Sequence, residues 1–117
     1  MTEHLKIIFN NELDLSKSYI RSRDFDNAFF HLERAHVLGQ EYVIPHTLIH
    51  WNMLKVGLLR RDGKEVIGQL IRLPLGIIGS FIGIIPTGNT GGSNVSIFKK
   101  MTIDKDLLEV LERKREG

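Results

Sequence analysis

The chain contains no cysteine. Disulfide bonds, thiolate metal sites, iron–sulfur clusters and cysteine nucleophiles are therefore excluded, and a reducing cytoplasmic location is expected. Charge of one sign is not in excess either, because 16 Lys and Arg residues oppose 14 Asp and Glu residues and leave a formal charge of +2. Such a small and dispersed surplus gives no indication of nucleic-acid binding.

Long hydrophobic runs are also lacking. The N-terminal ten residues have no apolar region of the length that a secretion signal needs. The most apolar segment, residues 66–85, is interrupted by Gln69, Arg72 and Pro74, which leaves 13 uncharged residues at 73–85. A membrane-spanning helix needs about 20, so a buried helix is expected here. The alternative is peripheral membrane contact beside the basic residues Arg60, Arg61, Lys64 and Arg72.

What the sequence does contain is helical periodicity. Hydrophobic residues make up 42% and charged residues 26% of the 117 positions, as in ordinary globular proteins, and the length fits a single domain over 1–117. A first helix is predicted over residues 11–21, and a second begins behind Asp24 as N-cap and ends with Gly39 as C-cap. The resulting hairpin is similar to a tetratricopeptide unit, although generic helical hairpins give the same spacing.

A second hairpin is predicted because a short sequence pattern occurs twice in the chain. The break at residues 60–63 resembles the break at residues 21–24, and Arg61-Asp62 repeats Arg23-Asp24 at an offset of 38. The third helix starts near Pro45, and the fourth starts near Lys64, with Pro74 ending or kinking it. Four apolar residues of the fourth helix are expected to face inward, namely Val66, Ile67, Leu70 and Ile71.

The C-terminal third is rich in glycine. Gly76, Gly79, Ser80 and Gly83 place small residues on one helical face, which requires close packing against a neighbour. Residues 86–94 form a predicted loop, residues 95–98 a short extended piece returning to the core, and a final helix follows Asp104. The fold class is therefore all-α, with four to five helices, antiparallel hairpins and a Gly-rich loop before the C-terminal helix.

Four of the five histidines lie within 20 residues of one another. His46 and His50, at i and i+4, are about 40° apart around a helix, so both rings can reach one metal ion. Glu33 and His36 share a face of the preceding helix in the same way. We therefore predict a site between the second and third helices with four ligands, Glu33, His36, His46 and His50.

The alternative to a metal site is that these histidines have structural roles, with acid–base catalysis a more remote third reading. Neutral imidazoles with a carboxylate favour zinc, or nickel, cobalt, copper or iron, over calcium or magnesium. His31 points away from His36 and is the weakest candidate ligand. No nucleophile is visibly paired with a histidine, so the sequence leans against an enzyme. Trp51 is predicted to anchor the core.

The loop at residues 88–92 has two readings. Glycine-rich turns can direct several backbone N–H groups at an anion, and the residues concerned are Gly88, Asn89, Thr90, Gly91 and Gly92. The favoured reading is a structural turn in which the Asn89 side chain bonds its own backbone. Neither a P-loop nor a dinucleotide fingerprint is present.

Four runs of residues identify a family resemblance. They are Leu32-Glu-Arg-Ala-His-Val-Leu-Gly-Gln40, His46-x3-His50 followed by Met53-Leu54, Arg61-Asp62 with Gly68-Gln69, and Pro86-x-Gly-Asn-Thr-Gly-Gly92 with Val95-Ser96-x-Phe98. The chain thereby resembles a family of small uncharacterised bacterial proteins known only as a domain of unknown function. The resemblance implies a bacterial source and no known activity.

The sequence thus predicts a small cytoplasmic accessory protein that binds a divalent transition metal ion, with zinc as the best single candidate. The alternative is a helical-hairpin interaction module that docks on a partner protein or a membrane surface through the apolar, Gly-rich third. A large exposed apolar patch on residues 73–85 would favour that alternative.

Overall fold

The computed structural model describes residues 1–84 and 86–116, with side chains described as far as residue 113. The described residues form five helices and no strand, which confirms the all-α prediction. The helices are α1 (Glu3–Arg21), α2 (Phe25–Gly39), α3 (Val43–Leu59), α4 (Gly63–Ile82) and α5 (Lys105–Glu116). Helices α1 and α2 pack as one hairpin, α3 and α4 as a second, and α2 and α3 join the two.

The first helix starts eight residues earlier than predicted. The Thr2 side chain accepts a hydrogen bond from the Leu5 N–H and caps the helix. Leu5, Phe9 and Leu13, spaced four residues apart, are all buried in the core. This stripe, which lies mostly before residue 11, holds the additional turns against α2.

The second helix confirms one predicted cap and corrects the other. Asp24 caps α2 by accepting from the Asn27 N–H. Gly39 is not the C-cap but the last helical residue, and Gln40 follows in the right-handed region. A Cβ on Gly39 would lie 2.8 Å from the Phe9 ring. Gly39 is therefore explained by the close approach of α1 rather than by helix termination.

The sequence pattern that occurs at residues 21–24 and again at 60–63 corresponds to two similar turns. Arg23 has φ 60° and Arg61 has φ 55°, and each precedes an Asp that caps the next helix. The Asp62 side chain accepts from the Glu65 N–H, as Asp24 does from Asn27. Each hairpin is thus closed by a left-handed Arg followed by a capping Asp.

Helix α4 is oriented opposite to the prediction. Its buried residues are Glu65, Gln69 and Arg72, whereas Ile67, Leu70 and Ile71, expected to face inward, are exposed. Pro74 lies inside the helix and does not end it. The expectation of a buried apolar helix is therefore wrong, because the polar residues have partners inside the protein.

In the described part of the chain, α4 is the one helix that is long enough and apolar enough to cross a membrane. This statement concerns its length and composition only. Only 17% of its most apolar stretch is buried, and no membrane is present in the structure.

The core is built by α1, α2 and α3 with Leu107 from α5. Ion pairs beside this core connect α1, α2 and α5. Glu12 of α1 accepts from Arg34 of α2 at 2.9 Å, and Arg34 also pairs with Asp106 of α5. Trp51 was expected in the core, but it is 53% exposed beside α4, so that expectation is wrong.

The segment between α4 and α5, described at residues 83–84 and 86–104, contains turns and bends but no helix or strand. Residue 85 lies outside the described residues. The extended piece expected at residues 95–98 is not formed, and Phe98 is exposed. As predicted, the last helix begins directly after Asp104. It buries Leu107 in the core.

Candidate metal site

Three histidine side chains converge at the junction of the two hairpins. The Nε2 atom of His46 lies 2.9 Å from Nε2 of His36 and 2.9 Å from Nε2 of His50. The Nε2 atoms of His36 and His50 are 3.1 Å apart. All three residues are buried. We refer to His36, His46 and His50 as the histidine triangle.

The opposite nitrogen of each ring faces an oxygen atom. His36 Nδ1 lies 2.6 Å from the backbone carbonyl of Asn89, and His50 Nδ1 lies 2.6 Å from Gln69 Oε1. His46 Nδ1 lies 2.7 Å from Ser80 Oγ. These partners come from α4 and from the loop after it, so both segments orient the rings from behind.

The partners fix the tautomer of each ring. A backbone carbonyl can only accept, so His36 Nδ1 must donate to Asn89. The Gln69 amide nitrogen donates to Glu65 and to the Gly91 carbonyl, so Gln69 Oε1 is left to accept from His50.

Ser80 completes the same pattern at His46. Its hydroxyl donates to the Gln40 carbonyl at 3.2 Å, which leaves its oxygen to accept from His46 Nδ1. All three protons thus lie on Nδ1, and all three Nε2 lone pairs face one another.

Electrostatics keep the three imidazoles neutral. Burial lowers the pKa of His46 to about 3, with the neighbouring His50 as a second cause. Burial also lowers the pKa of His50 to about 4 and that of His36 well below its ordinary value. A neutral imidazole is the form that binds a metal ion.

Two glycines let the surrounding chain reach the rings. A Cβ on Gly76 of α4 would lie 3.2 Å from His46 Cε1, and one on Gly91 would lie 2.5 Å from His36 Cδ2. Gly91 has φ 86°, a left-handed conformation that favours glycine. The stripe of small residues on α4 therefore packs against the histidine triangle, since Gly76 and Ser80 both contact it.

The fourth predicted ligand is not part of the triangle. Among the described residues, the group of metal-ligating side chains close enough to share an ion contains His36, His46 and His50 but not Glu33. Glu33 instead lies beside Thr90, and burial raises the pKa of its carboxyl group. Helical spacing brings Glu33 and His36 to neighbouring angles, but Glu33 contacts Thr90, whereas His36 contacts the Asn89 carbonyl. His31 lies elsewhere, paired with Glu12 at 2.6 Å.

The loop at residues 88–92 supports the triangle. The Gly91 N–H donates to Asn89 Oδ1, which is the structural turn that the sequence favoured. The Asn89 amide nitrogen donates to the carbonyls of Ser96 and Lys99. Because the N–H groups of Asn89 and Gly91 already donate within the loop, anion binding there stays a prediction with less support.

A cavity of about 210 Å³ opens directly beside the triangle. Its wall is mostly hydrocarbon and is contributed by α4 and the following loop. The lining side chains other than the triangle include Leu75, Ile78, Ile82, Ile84, Ile97 and Phe98. Arg72 and Gln40 are its polar members besides the histidines and Asn89.

The sequence did not single out the residues behind the rings. Gln69 and Arg72 were visible only as interruptions of an apolar segment, and Ser80 only as a small residue. Together with Gly76 they recur at spacings of three and four, so a polar stripe on an apolar helix was the available signal. The role of the Asn89 carbonyl has no side-chain signal at all.

Comparisons with known proteins place the chain in a family. A search of curated proteins and a search of solved structures gave no match. The sequence model of a family described as "Protein of unknown function (DUF3703)" matches residues 3–111. The chain, with its buried histidine triangle, therefore belongs to this family of unknown function.

Proposed function

We propose that this protein binds one divalent transition metal ion through Nε2 of His36, His46 and His50. The observation that carries the proposal is the meeting of three unprotonated nitrogens within 3.1 Å. Lone pairs at that separation repel one another, and no proton lies between them because each ring carries its proton on Nδ1. A cation at the centre converts this repulsion into coordination.

The spacing of the three nitrogens suits such an ion. Ligands bound at about 2.1 Å in tetrahedral geometry lie about 3.4 Å apart, so the rings need to separate by only a few tenths of an ångström. The second nitrogens donate to oxygen atoms, as histidines bound to metal ions usually do. Three nitrogen ligands and an open position are typical of zinc sites that bind a further ligand.

Zinc is the first choice of ion because three neutral imidazoles with one open position are an established zinc ligand set. Nickel, cobalt, copper and iron use the same ligands, and their relative supply decides among them. We infer a small cytoplasmic accessory protein that holds such an ion, not a protein that acts on nucleic acid.

Metal analysis of the tag-free protein tests the proposal. We expect close to one zinc ion per chain by mass spectrometry, and micromolar or tighter rebinding after chelation. His46→Gln combined with His50→Gln should abolish binding, since one imidazole remains. His31→Gln is the matched control, because His31 lies on α2 like His36 but outside the triangle.

Folding must be measured alongside metal content. If the double variant retains the helical circular dichroism of the wild type and still binds zinc as tightly, the proposed site is wrong. If the wild type binds none of the five candidate ions, the triangle is a structural cluster and the proposal fails.

A second function is favoured by the apolar surface. We propose that α4 also docks on a membrane surface, because Phe81 is 82% exposed and Ile67 and Ile71 are exposed on the same helix. The exposed basic residues Arg61 and Lys64 at the start of the helix can reach lipid phosphates, and apolar side chains grouped on one helix are typical of interaction sites.

The docking proposal is tested with Phe81→Glu. Sedimentation with anionic lipid vesicles should show binding of the wild type, and the variant should lose it while retaining zinc. A wild type that stays in the supernatant, or that self-associates instead of binding vesicles, would contradict the docking role.

A further inference from the structure

The proposed ion would have an open coordination position. In the described part of the chain, no further His, Asp or Glu joins the triangle. A divalent ion with three nitrogen ligands needs at least one more. With no further His, Asp or Glu in reach, the fourth position is available to water or to a bound molecule.

The cavity beside the triangle decides what kind of molecule fits. Its wall is built from aliphatic side chains of α4, such as Leu75, Ile78 and Ile82, and from Ile97 and Phe98. A volume of about 210 Å³ accommodates a short hydrocarbon chain. Hydrocarbon buried there gains free energy from leaving water.

The charge around the cavity is positive. Arg72 lines the cavity and is 9% exposed, and its guanidinium donates to the carbonyls of Gly68 and Val95. Among the described residues, no carboxylate lies within ion-pair distance of Arg72, and the nearest that acts on it electrostatically is Glu65. The ion and Arg72 carry more positive charge than Glu65 offsets, and the three imidazoles are neutral, so a surplus of positive charge remains.

Gln40, which lines this cavity and a smaller neighbouring one, has a polar atom without a partner. Gln40 is 3% exposed, and its Oε1 atom has no hydrogen-bond partner, while its amide nitrogen donates to the Pro86 carbonyl. An orphaned buried acceptor costs free energy unless a donor reaches it. A water molecule or a ligand hydroxyl inside the cavity would supply that donor.

We propose that the site takes a small aliphatic carboxylate, with a carboxylate oxygen at the open position of the ion and the hydrocarbon tail in the cavity. This inference rests on the proposed metal site. The negative head offsets the surplus charge of the ion and Arg72, and the tail contacts the aliphatic wall. Neither feature alone selects this class, because the charge alone would admit acetate and the wall alone would admit an alkane.

Calorimetric titration of the zinc-loaded protein with three probes separates the contributions. Hexanoate has both head and tail, acetate has the head alone, and 1-hexanol has the tail without the charge. We expect hexanoate to bind at least about tenfold more tightly than acetate, because each buried methylene favours binding by a factor of about four. The zinc-free protein should bind hexanoate more weakly.

The visible absorption of bound cobalt tests whether the carboxylate group binds the ion. With cobalt in place of zinc, hexanoate should change the visible absorption bands of the ion, whereas 1-hexanol should not. Ile78→Asp adds a carboxylate to the cavity wall and should abolish hexanoate binding while retaining cobalt. Ile77→Asp is the matched control, since Ile77 is the adjacent residue of α4 and lines a different groove.

The outcomes are distinguishable from those of the metal proposal. Absence of metal binding overturns both proposals. Tight metal binding with equal affinities for hexanoate and acetate, or an unchanged cobalt spectrum, overturns the carboxylate inference alone. Equal hexanoate binding with and without zinc overturns it as well, because the tail would then bind without the ion.

Discussion

Each ring of the histidine triangle is held at Nδ1 by an oxygen atom, so residues that do not contact the proposed ion would control how tightly it binds. Gln69 shows this most clearly, since its amide accepts from His50 and donates to Glu65 and Gly91. One side chain therefore orients the His50 ring, a buried carboxylate and the loop at the same time.

Gln69→Leu should weaken zinc binding by about 10- to 100-fold, the usual loss when the partner behind a metal-bound histidine is removed. A competition titration with a chromophoric chelator measures the change. Asn52→Leu is the control, because Asn52 is equally buried but donates to Leu48 within its own helix. Similar losses in both variants would mean that Gln69 acts through general stability.

Gly91→Ala should lower both stability and zinc affinity. Alanine at φ 86° costs about 1 kcal/mol or more, and its Cβ would intrude on the His36 ring. Gly83→Ala separates the two effects, because Gly83 has φ 80° but nothing within 4 Å of the added Cβ. We expect urea unfolding to show a loss in both variants and chelator competition to show weaker zinc binding only in Gly91→Ala. Unchanged affinity in Gly91→Ala would show that the ring can move aside.

At the scale of the helices, α4 has a polar inner face and an apolar outer face. Its inner face supplies Gln69, Gly76 and Ser80 to the triangle, and its outer face exposes aliphatic side chains. Pro74 lies between these contacts in an exposed position of the continuous helix.

Pro74→Ala should stabilise the protein by about 1 to 3 kcal/mol, because proline in a helix interior removes a backbone hydrogen bond and strains the preceding turn. Urea unfolding measures the gain, and zinc affinity should stay constant. Ile71→Ala is the control, an exposed position of the same helix for which little change is expected. An unchanged or lower stability for Pro74→Ala would mean that the native packing depends on the proline.

The sequence predicted the helices better than it predicted their orientation. The cap at Asp24 and the two hairpins follow from local chemistry, which is visible in neighbouring residues. The inversion of α4 is not local. Apolar residues normally turn inward, and this preference is overridden only because Gln69 finds His50 and Ser80 finds His46 across the fold.

The histidine triangle was likewise predictable only where it follows from the geometry of a single helix. The i and i+4 spacing of His46 and His50 is a property of one helix, and it correctly brought those rings together. His36 joins them through the packing of α2 on α3. The side to which Glu33 turns depends on the loop at residues 88–92, and no spacing rule fixes a loop at that distance along the chain.

At the scale of the whole molecule, the neutral triangle links folding to pH. His46 and His50 have a pKa of about 3 and about 4 in the folded state, and that of His36 is also lowered. Unfolded histidines bind protons below about pH 6.5, so the unfolded chain takes up more protons than the folded one. The stability contributed by these groups is complete above that pH and is lost as the pH falls.

The zinc-free protein should therefore lose stability as the pH falls from 6.5 towards 4, by up to about 1.4 kcal/mol per pH unit for each histidine. Urea unfolding between pH 7.5 and 4.5, an interval of about three units, measures this slope. Replacing all three histidines by glutamine should flatten it. An equal slope in the triple variant would mean that other groups dominate the acid transition.

The outward aliphatic face of α4 has a consequence for how this protein behaves in the laboratory. Dyes such as anilinonaphthalene sulfonate brighten on exposed hydrocarbon and are commonly used to report loose, partly unfolded states. Here the native helix itself presents Phe81 and its aliphatic neighbours. Bright dye fluorescence from a fully folded sample is therefore expected, and a decrease on adding a binding partner would indicate that the face has been covered.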